Sequence, residues 1–152
     1  MKILWQLLFP TRCPVCDSIV KPFGEKICLE CLPKLRVVTP PWCMKCGKKI
    51  RDDGEFCSDC RQKQHMFDRS RTLYEYAAAP SIYRFKYKGR QEYAEFFGEE
   101  MGKYLGDFIR SVSPDVLVPV PLHKKKLSKR GYNQAACLAR ALGKNMQLPV
   151  DE

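Results

Sequence analysis

Histidine is scarce in this chain, with only two among 152 residues against nine cysteines. A catalytic zinc keeps an open coordination position and usually takes a histidine or carboxylate ligand. Only His65 lies near the cysteines, shortly after Cys60. The sequence therefore argues against a catalytic metal, and we interpret His65 as a surface residue rather than a ligand.

The chain also lacks an apolar run long enough to span a bilayer, which takes about 20 residues. The stretch 1–10, MKILWQLLFP, is interrupted by Gln6 and followed by no small-residue cleavage site. We expect a short helix here instead of a signal peptide or a membrane span. Because reduced, metal-spaced cysteines fit a reducing compartment, we expect a cytoplasmic protein.

Acidic residues are few relative to basic ones, 17 against 27, which gives a formal net charge of +10. The excess of positive charge favours phosphates, nucleic acid or an anionic surface as partners. Solubility alone is the other interpretation of a basic surface.

Cysteine pairs are the feature present in excess. Eight cysteines form four Cys-x-x-Cys pairs at nearly equal spacing: Cys13/Cys16, Cys28/Cys31, Cys43/Cys46 and Cys57/Cys60. Each pair can place two thiolates on one side of a metal, and two facing pairs complete a tetrahedral site. The pattern predicts two closed, structural Zn²⁺ ions; a disulfide framework and a redox dithiol are the alternatives.

The order in which the pairs combine is left open by their spacing. Sequential pairing is the simplest arrangement, and interleaved pairing is the alternative. Gly47 directly after Cys46 favours a tight metal-binding turn, because glycine takes a positive φ without steric cost. Asp17 and Arg61 occupy equivalent positions and are less suited to them, and the bulky Leu32 predicts a turn that opens differently.

The remaining residues, from about Phe67 onward, predict a mixed α/β unit. A strand is predicted at 69–76, a helix at 91–111, a fully buried strand at 116–120 and a second helix at 132–145. Gly98, Gly102 and Gly106 form a stripe on the first helix. Each costs about 1 kcal/mol of helix propensity, so we expect close packing against another backbone to offset it.

A loop rich in lysine is predicted between the strand at 116–120 and the second helix. A basic loop at the carboxyl end of a strand, followed by a helix start, is how α/β proteins hold phosphate. The candidate phosphate- or nucleic-acid-binding residues here are His123, Lys124, Lys125, Lys126, Lys129, Arg130, Asn133 and Gln134. A solvated basic loop is the alternative.

Basic and aromatic residues alternate in the stretch 81–88, SIYRFKYK. Arg84, Lys86 and Lys88 could contact phosphates while the neighbouring aromatic rings stack on bases, as in single-stranded nucleic-acid binding. The alternative is that the rings belong to the core and the cations to a solvated rim. The pattern fits either a strand or a short helix.

The motifs LFPTRCPVC, RFKYKG and DVLVPVPLHKKKLSKRGYNQA, together with the later CxxC pairs, resemble the ComF family of competence-associated proteins. The resemblance implies an amino-terminal helix and double zinc ribbon over 1–66. It also implies the amino-terminal part of a type I phosphoribosyltransferase-like α/β domain over 67–152. In that domain 118–123 would be the strand and pyrophosphate-side loop, and 130–134 would open the first core helix.

The resemblance also implies a role in DNA uptake during natural transformation. The expected partners are single-stranded DNA or a phosphorylated ligand, and a helicase or another uptake protein. The family's paired aspartates and Thr-Thr-Gly loop, which bind phosphoribosyl pyrophosphate, have no counterpart here. We therefore expect this chain to lack phosphoribosyl transfer by itself, and no catalytic residue is assigned.

Two other functions stay open at this point. One is a phosphoribosyltransferase whose catalytic half is missing from this chain, so whether the protein is an enzyme is undecided. The other is a zinc-ribbon module that docks another protein.

Overall fold

The secondary structure is mainly helical. The computed structural model describes residues 9–22, 24–51, 54–75 and 78–152, so the helix expected at 1–10 lies almost wholly outside the described residues. The described helices are a 3₁₀ helix at Leu32–Lys34, α1 (Ser58–Gln62), α2 (Ala79–Tyr87), α3 (Tyr93–Val112), α4 (Lys124–Arg130) and α5 (Gln134–Met146).

Within the described ranges, β structure consists of four isolated bridges. Three are antiparallel, namely Arg12–Ile19, Trp42–Lys49 and Val37–Tyr74, and the fourth, Leu117–Val150, is parallel. The strand predicted at 69–76 is therefore an extended segment with one bridge in its described part. The backbone of this segment is also hydrogen-bonded to residues 13–60, which contain the four cysteine pairs and which we call the cysteine module. Ser70 N donates to Lys45 O over 2.8 Å.

Helices α3 and α5 pack against each other, and two glycines of α3 permit the close approach. A Cβ on Gly98 would lie 2.5 Å from Ala141 Cβ, and one on Gly102 would lie 1.9 Å from Asn145 Oδ1. Close packing is thus confirmed for both, although Gly102 meets a side chain and not a backbone. The three atoms nearest to a Cβ on Gly106 belong to the side chain of Arg110 in its own helix, so this glycine does not show the predicted close contact with another backbone.

One apolar core joins the first cysteine quartet to the helices. Cys13 and Cys31 lie in the same buried cluster as Phe85 of α2 and Phe97 of α3. The second quartet has a separate, smaller cluster around Ile50. The two halves of the cysteine module are therefore embedded differently, the first in the main core and the second beside it.

The apolar segment 116–120 is not buried, contrary to the sequence-based expectation. Leu117 makes a parallel bridge to Val150, but the side chains of Val118 and Val120 are 69% and 76% exposed. An apolar run indicates a tendency to be buried, and among the described residues no second layer covers this one.

The two basic segments are both helical. The segment predicted as a loop after Leu122 forms α4, because its lysines and Leu127 are good helix formers. His123 caps its start by accepting from Lys125 N, and Gly131, with φ of 82°, ends it. The stretch 81–88 lies almost entirely in α2, which selects the helix from the two conformations considered.

Candidate metal centres and basic cavity

Two cysteine hairpins of the chain have the same geometry. In the first, Cys13 N donates to Ser18 O, and Asp17 N donates to Cys13 O. In the second, Cys43 N donates to Lys48 O, and Gly47 N donates to Cys43 O. Asp17 and Gly47 occupy the same position with φ of 64° and 70°, so the sequence duplication is also a structural one.

The other two cysteine pairs are presented by short helical turns. Leu32 N donates to Cys28 O over 3.2 Å, at the start of the 3₁₀ helix, and Arg61 N donates to Cys57 O over 3.0 Å, within α1. The expectation that Leu32 opens its turn differently is confirmed. Each site therefore combines one hairpin with one helical turn.

The eight sulfur atoms fall into two sets of four. The sets are Cys13, Cys16, Cys28 and Cys31, and Cys43, Cys46, Cys57 and Cys60, with the sulfurs of each set within 4.8 Å of one another. The pairing is therefore sequential and not interleaved.

The sulfur spacing fits tetrahedral zinc. Zn–S bonds of about 2.3 Å separate tetrahedral sulfurs by about 3.8 Å. The distances between Cys16 Sγ and Cys28 Sγ and between Cys46 Sγ and Cys57 Sγ are 4.0 and 3.8 Å. All eight thiols are free of disulfides. The two sites hold two zinc ions, and four sulfur ligands close each of them.

The thiols within each set differ in acidity. Burial disfavours the thiolate of Cys43, but hydrogen bonds from the backbone of Cys46 and Cys57 outweigh it and lower its pKa to about 6. In the same set, burial and the sulfur of Cys46 raise the pKa of Cys60 to about 12. Four neighbouring thiolates thus need a cation to compensate their charge, and Zn²⁺ supplies it while displacing the protons.

His65 lies beside the second site without belonging to the set of four sulfurs. Its Nε2 is 3.4 Å from Cys60 Sγ, and its ring stacks on Phe67 at a centroid distance of 5.0 Å. The side chain is half-buried. It is therefore a hydrogen-bond partner of a cysteine sulfur, a contact that the sequence did not predict.

Helix α2 is held by the first cysteine hairpin on one side. Arg84 Nη2 donates to the carbonyl oxygens of Pro14 and Val15, the former over 3.1 Å. This arginine, a candidate for phosphate binding in the sequence, contacts the first metal site instead of facing Lys126, Lys129 and Arg130 of α4. Its guanidinium fixes the helix that carries Lys86 and Tyr87.

The same helix is held by Tyr132 on the other side. The Tyr132 hydroxyl donates to Phe85 O, and the two rings lie 6.1 Å apart between centroids. Tyr132 is buried and stands between α4 and α5. The contact therefore fixes α2 against the junction that follows α4.

A basic cavity lies between α2 and α4. It has a volume of 460 Å³, and its lining residues are Lys86, Tyr87, Gly89, Lys126, Lys129 and Arg130. The Arg130 guanidinium lies 5.1 Å from the centre of the Tyr87 ring, a cation–π contact, and also donates to Gln134 Oε1. Four cations from two helices, far apart in sequence, thus face one space. We call it the basic cavity below.

Several other residues predicted for anion binding have different roles or positions. Asn133 caps α5, since its Oδ1 accepts from Ala135 N over 3.0 Å, and its Nδ2 donates to Val120 O over 3.1 Å. Lys88, Lys124 and Lys125 are exposed and line no part of the basic cavity. Tyr87, one of the aromatic rings of the stretch 81–88, lines it together with Gly89, which was not among the candidate site residues.

The duplicated hairpins and two four-cysteine sites define a double zinc ribbon protein. In agreement, the family model described as a double zinc ribbon domain matches residues 4–61.

Relatives over most of the chain extend this assignment. Competence protein ComFC of Bacillus subtilis is 29% identical over 97% of this chain and 60% of its own length. Competence protein F of Haemophilus influenzae is 22% identical over 93% of this chain and 63% of its own length. DNA utilization protein YhgH of Escherichia coli is 27% identical over 91% of this chain and 63% of its own length. Together with the zinc ribbon, these relatives support the ComF family for this chain.

The relatives match the residues beyond the zinc ribbon in sequence, but no comparison assigns a fold to them. The chain spans about 60% of the length of the curated relatives it matches. No solved structure matches it significantly. Of the helices in the described part, none combines the length and the apolar character needed to cross a membrane.

Proposed function

We propose that this chain is a competence-associated zinc protein that holds the phosphate backbone of single-stranded DNA in the basic cavity. The observation that carries the proposal is the convergence of Lys86, Lys126, Lys129 and Arg130 on one cavity. In the described part of the chain, no carboxylate pairs with any of these four cations. Unpaired cations in one concave space favour a polyanion.

The names of the relatives support DNA as the polyanion. Two are called competence proteins and the third a DNA utilization protein. We extend this to a role in DNA uptake during natural transformation, in the cytoplasm, beside a helicase or another uptake protein. The basic cavity would contribute the contact with the incoming strand.

The zinc sites have a structural part in this proposal. Arg84 ties α2 to the first cysteine hairpin, and α2 supplies Lys86 to the cavity. A zinc ion that fixes the hairpin therefore also fixes one wall of the phosphate site. The zinc ions bind no DNA in this scheme, because four sulfurs leave no free coordination position.

The architecture of residues 67–152 stays a prediction. A parallel pair, Leu117 with Val150, is connected through α4 and α5. Parallel neighbours need such a crossover connection, and helices usually supply it. This arrangement is compatible with the phosphoribosyltransferase-like α/β domain implied by the family resemblance.

The test is to measure how strongly the zinc-loaded chain binds single-stranded DNA at increasing salt concentrations. Fluorescence anisotropy of a labelled oligonucleotide reports the binding. Each phosphate neutralised contributes about −0.7 to the slope of log affinity against log salt, so four contacts predict a slope of roughly −2.8. Removing two cations with Lys126→Ala/Lys129→Ala should weaken binding roughly tenfold and make the slope shallower by about 1.4.

The matched control removes the same charge from the same helix. Lys124 and Lys125 lie in α4 but do not line the basic cavity. The variant Lys124→Ala/Lys125→Ala should keep most of the affinity and slope. Equal losses in both double variants would indicate diffuse attraction to a basic surface and contradict a site. Absence of binding at low salt would refute the proposal altogether.

A further inference from the structure

Two tyrosines on α2 form an exposed aromatic pair beside the basic cavity. Tyr83 and Tyr87 stand one helical turn apart, with ring centroids 4.9 Å apart and planes inclined by 46°. Their exposed fractions are 56% and 62%. The same helix buries Phe85 completely in the core, whereas more than half of each tyrosine stays open to a ligand, although the Tyr87 ring also contacts Arg130.

The tyrosine pair connects two spaces of different chemistry. Tyr87 and Lys86 line the basic cavity, and together with Tyr83 they also line a second, mainly apolar groove of 550 Å³. That groove is also lined by Leu73, Phe97, Met101 and Leu138. A ligand that fits this combination has anionic groups next to a flat, weakly polar group. A phosphate ion alone has no apolar group to fill the groove, and an apolar ligand has no negative charge to pair with the cations.

We infer that the Tyr83–Tyr87 pair takes an unpaired nucleobase of the same strand whose phosphates lie in the basic cavity, so that the site selects single-stranded over double-stranded DNA. The inference rests on the proposed function. Base stacking on aromatic rings is common in single-strand binding and tolerates any base, because each base has a π face. Because Lys86 and Tyr87 line both spaces, the phosphate and the base of one nucleotide would lie in adjoining spaces.

Selection between single and double strands follows from what each can offer the rings. In a duplex the bases are paired and stacked on one another, so they cannot lie against Tyr83 without unstacking. A duplex nevertheless has the higher density of phosphates. A site that recognises charge alone would therefore bind duplex at least as tightly as single strand, and a site that also takes a base would prefer the single strand.

The decisive variant is Tyr83→Leu in the full, zinc-loaded chain. Tyr83 does not line the basic cavity, so its loss leaves the cations in place, and leucine keeps helix propensity and apolar bulk. Affinity for a labelled oligothymidine should fall about tenfold, in line with the loss of one stacked base. Affinity for the same strand made with abasic sites should not change, nor should the salt slope.

Two further variants make the result specific. Tyr83→Phe keeps the ring and should bind like the unchanged protein, which excludes a role for the hydroxyl. Tyr104→Leu removes an exposed tyrosine of α3 that lines neither space and should have no effect. Circular dichroism and zinc content show whether each variant folds; if Tyr83→Leu does not, the unchanged protein's preference for intact over abasic strand decides.

The outcomes separate the inference from the function on which it rests. If the protein binds intact and abasic strands equally, or if Tyr83→Leu weakens both alike, the base contact is refuted while phosphate binding stands. If neither strand binds at low salt, the proposed function fails and the base contact fails with it. Tighter binding of duplex than of single strand would also overturn the inference.

Discussion

The hydroxyl of Tyr93 donates to Oδ1 of Asp17 over 2.6 Å and so joins the start of α3 to the first cysteine hairpin. Arg90 Nη2 donates to the other carboxylate oxygen over 3.1 Å, and its Nε lies 2.8 Å from Oδ1, off the axis of a hydrogen bond. Burial disfavours the Asp17 carboxylate, but these contacts outweigh it and lower its pKa. Asp17 has a left-handed backbone conformation that suits glycine better than aspartate. The hydrogen bonds from Tyr93 and Arg90 to its carboxylate compensate the cost of that conformation.

Asp17→Asn should destabilise the zinc-loaded protein by about 1–2 kcal/mol, because it removes the charge from hydrogen bonds that a carboxylate strengthens. Asparagine tolerates the positive φ of this residue, so the backbone itself should adapt. Urea unfolding at neutral pH measures the change. The Tyr93→Phe variant and the double variant should reveal coupling between the two side chains.

The matched control for this prediction is Asp107→Asn. Asp107 pairs with Arg110 within α3, and its side chain is fully exposed. An exposed pair of this kind contributes little to stability. Equal effects of the two substitutions would contradict a special role for the Asp17 contacts.

The two zinc sites should contribute unequally to the stability of the helices. Cys28 and Cys46 are both half-buried ligands, but the first quartet lies in the core shared with α2 and α3, and the second lies in its own small cluster. We expect Cys28→Ser and Cys46→Ser each to lose one of two zinc ions. Amide hydrogen exchange in α3 should accelerate in Cys28→Ser and change little in Cys46→Ser.

Cys137→Ser is the control for metal content. Cys137 belongs to neither quartet, so the variant should keep two zinc ions by elemental analysis. Equal acceleration of exchange in α3 in both ligand variants would mean that the second site supports the helices as much as the first.

The metal sites could be predicted from sequence because their chemistry fixes both residue type and spacing. Four cysteine pairs, each with two residues between its members, favour metal binding over disulfides or a redox dithiol, and Gly47 marked its own turn. The pairing needed the structure, since equal spacings permit either order. The compensation at Asp17 could not be predicted, because its partners Arg90 and Tyr93 lie more than 70 residues away in the chain.

The basic cavity shows where sequence patterns stop being informative. Charge runs marked Lys126 and Lys129, but nothing in the sequence separates them from Lys124 and Lys125 on the same short helix. Which lysines face α2 depends on how α4 is fixed, through Tyr132 and Phe85. The burial predicted from the apolar content of 116–120 is wrong for a similar reason: Val118 and Val120 are exposed, and the sequence could not show whether a neighbouring element covers them.

Gly47→Ala should destabilise the second cysteine hairpin severely. A Cβ there would lie 2.6 Å from Arg71 Cα and 2.8 Å from Ser70 O, both backbone atoms, and the residue has φ of 70°. The left-handed conformation alone costs an L-residue roughly 1–2 kcal/mol, and the clash adds to it. We expect more than about 2 kcal/mol in unfolding measurements and weaker binding of one zinc ion.

Gly131→Ala separates the two causes. Gly131 has φ of 82°, but a Cβ added there would meet no atom within 4 Å. Gly131→Ala should therefore lower the free energy of unfolding only by the cost of the left-handed backbone conformation, roughly 1–2 kcal/mol. A cost for Gly47→Ala no larger than that for Gly131→Ala would show that the segment at Ser70 and Arg71 moves away without penalty.

Replacing Gly98, Gly102 and Gly106 of α3 by alanine should change the free energy of unfolding by three different amounts. We expect the first two replacements to destabilise the protein and the third to leave it unchanged or stabilise it. In Gly98→Ala the new methyl group meets Ala141, including its backbone carbon at 2.9 Å, so α3 and α5 must separate and the protein should lose about 2 kcal/mol or more. In Gly102→Ala the obstacle is the side-chain oxygen of the exposed Asn145, which can rotate away, so the loss should be smaller.

Gly106→Ala should be neutral or stabilising by up to about 1 kcal/mol, because alanine gains helix propensity and the nearest obstacle is the tip of Arg110 at 3.2 Å. The Arg110 side chain is largely exposed and can shift. Thermal unfolding of the three zinc-loaded variants measures the order. If Gly106→Ala were as damaging as Gly98→Ala, the helix contact would extend a turn farther along α3 than the packing of α3 on α5 implies.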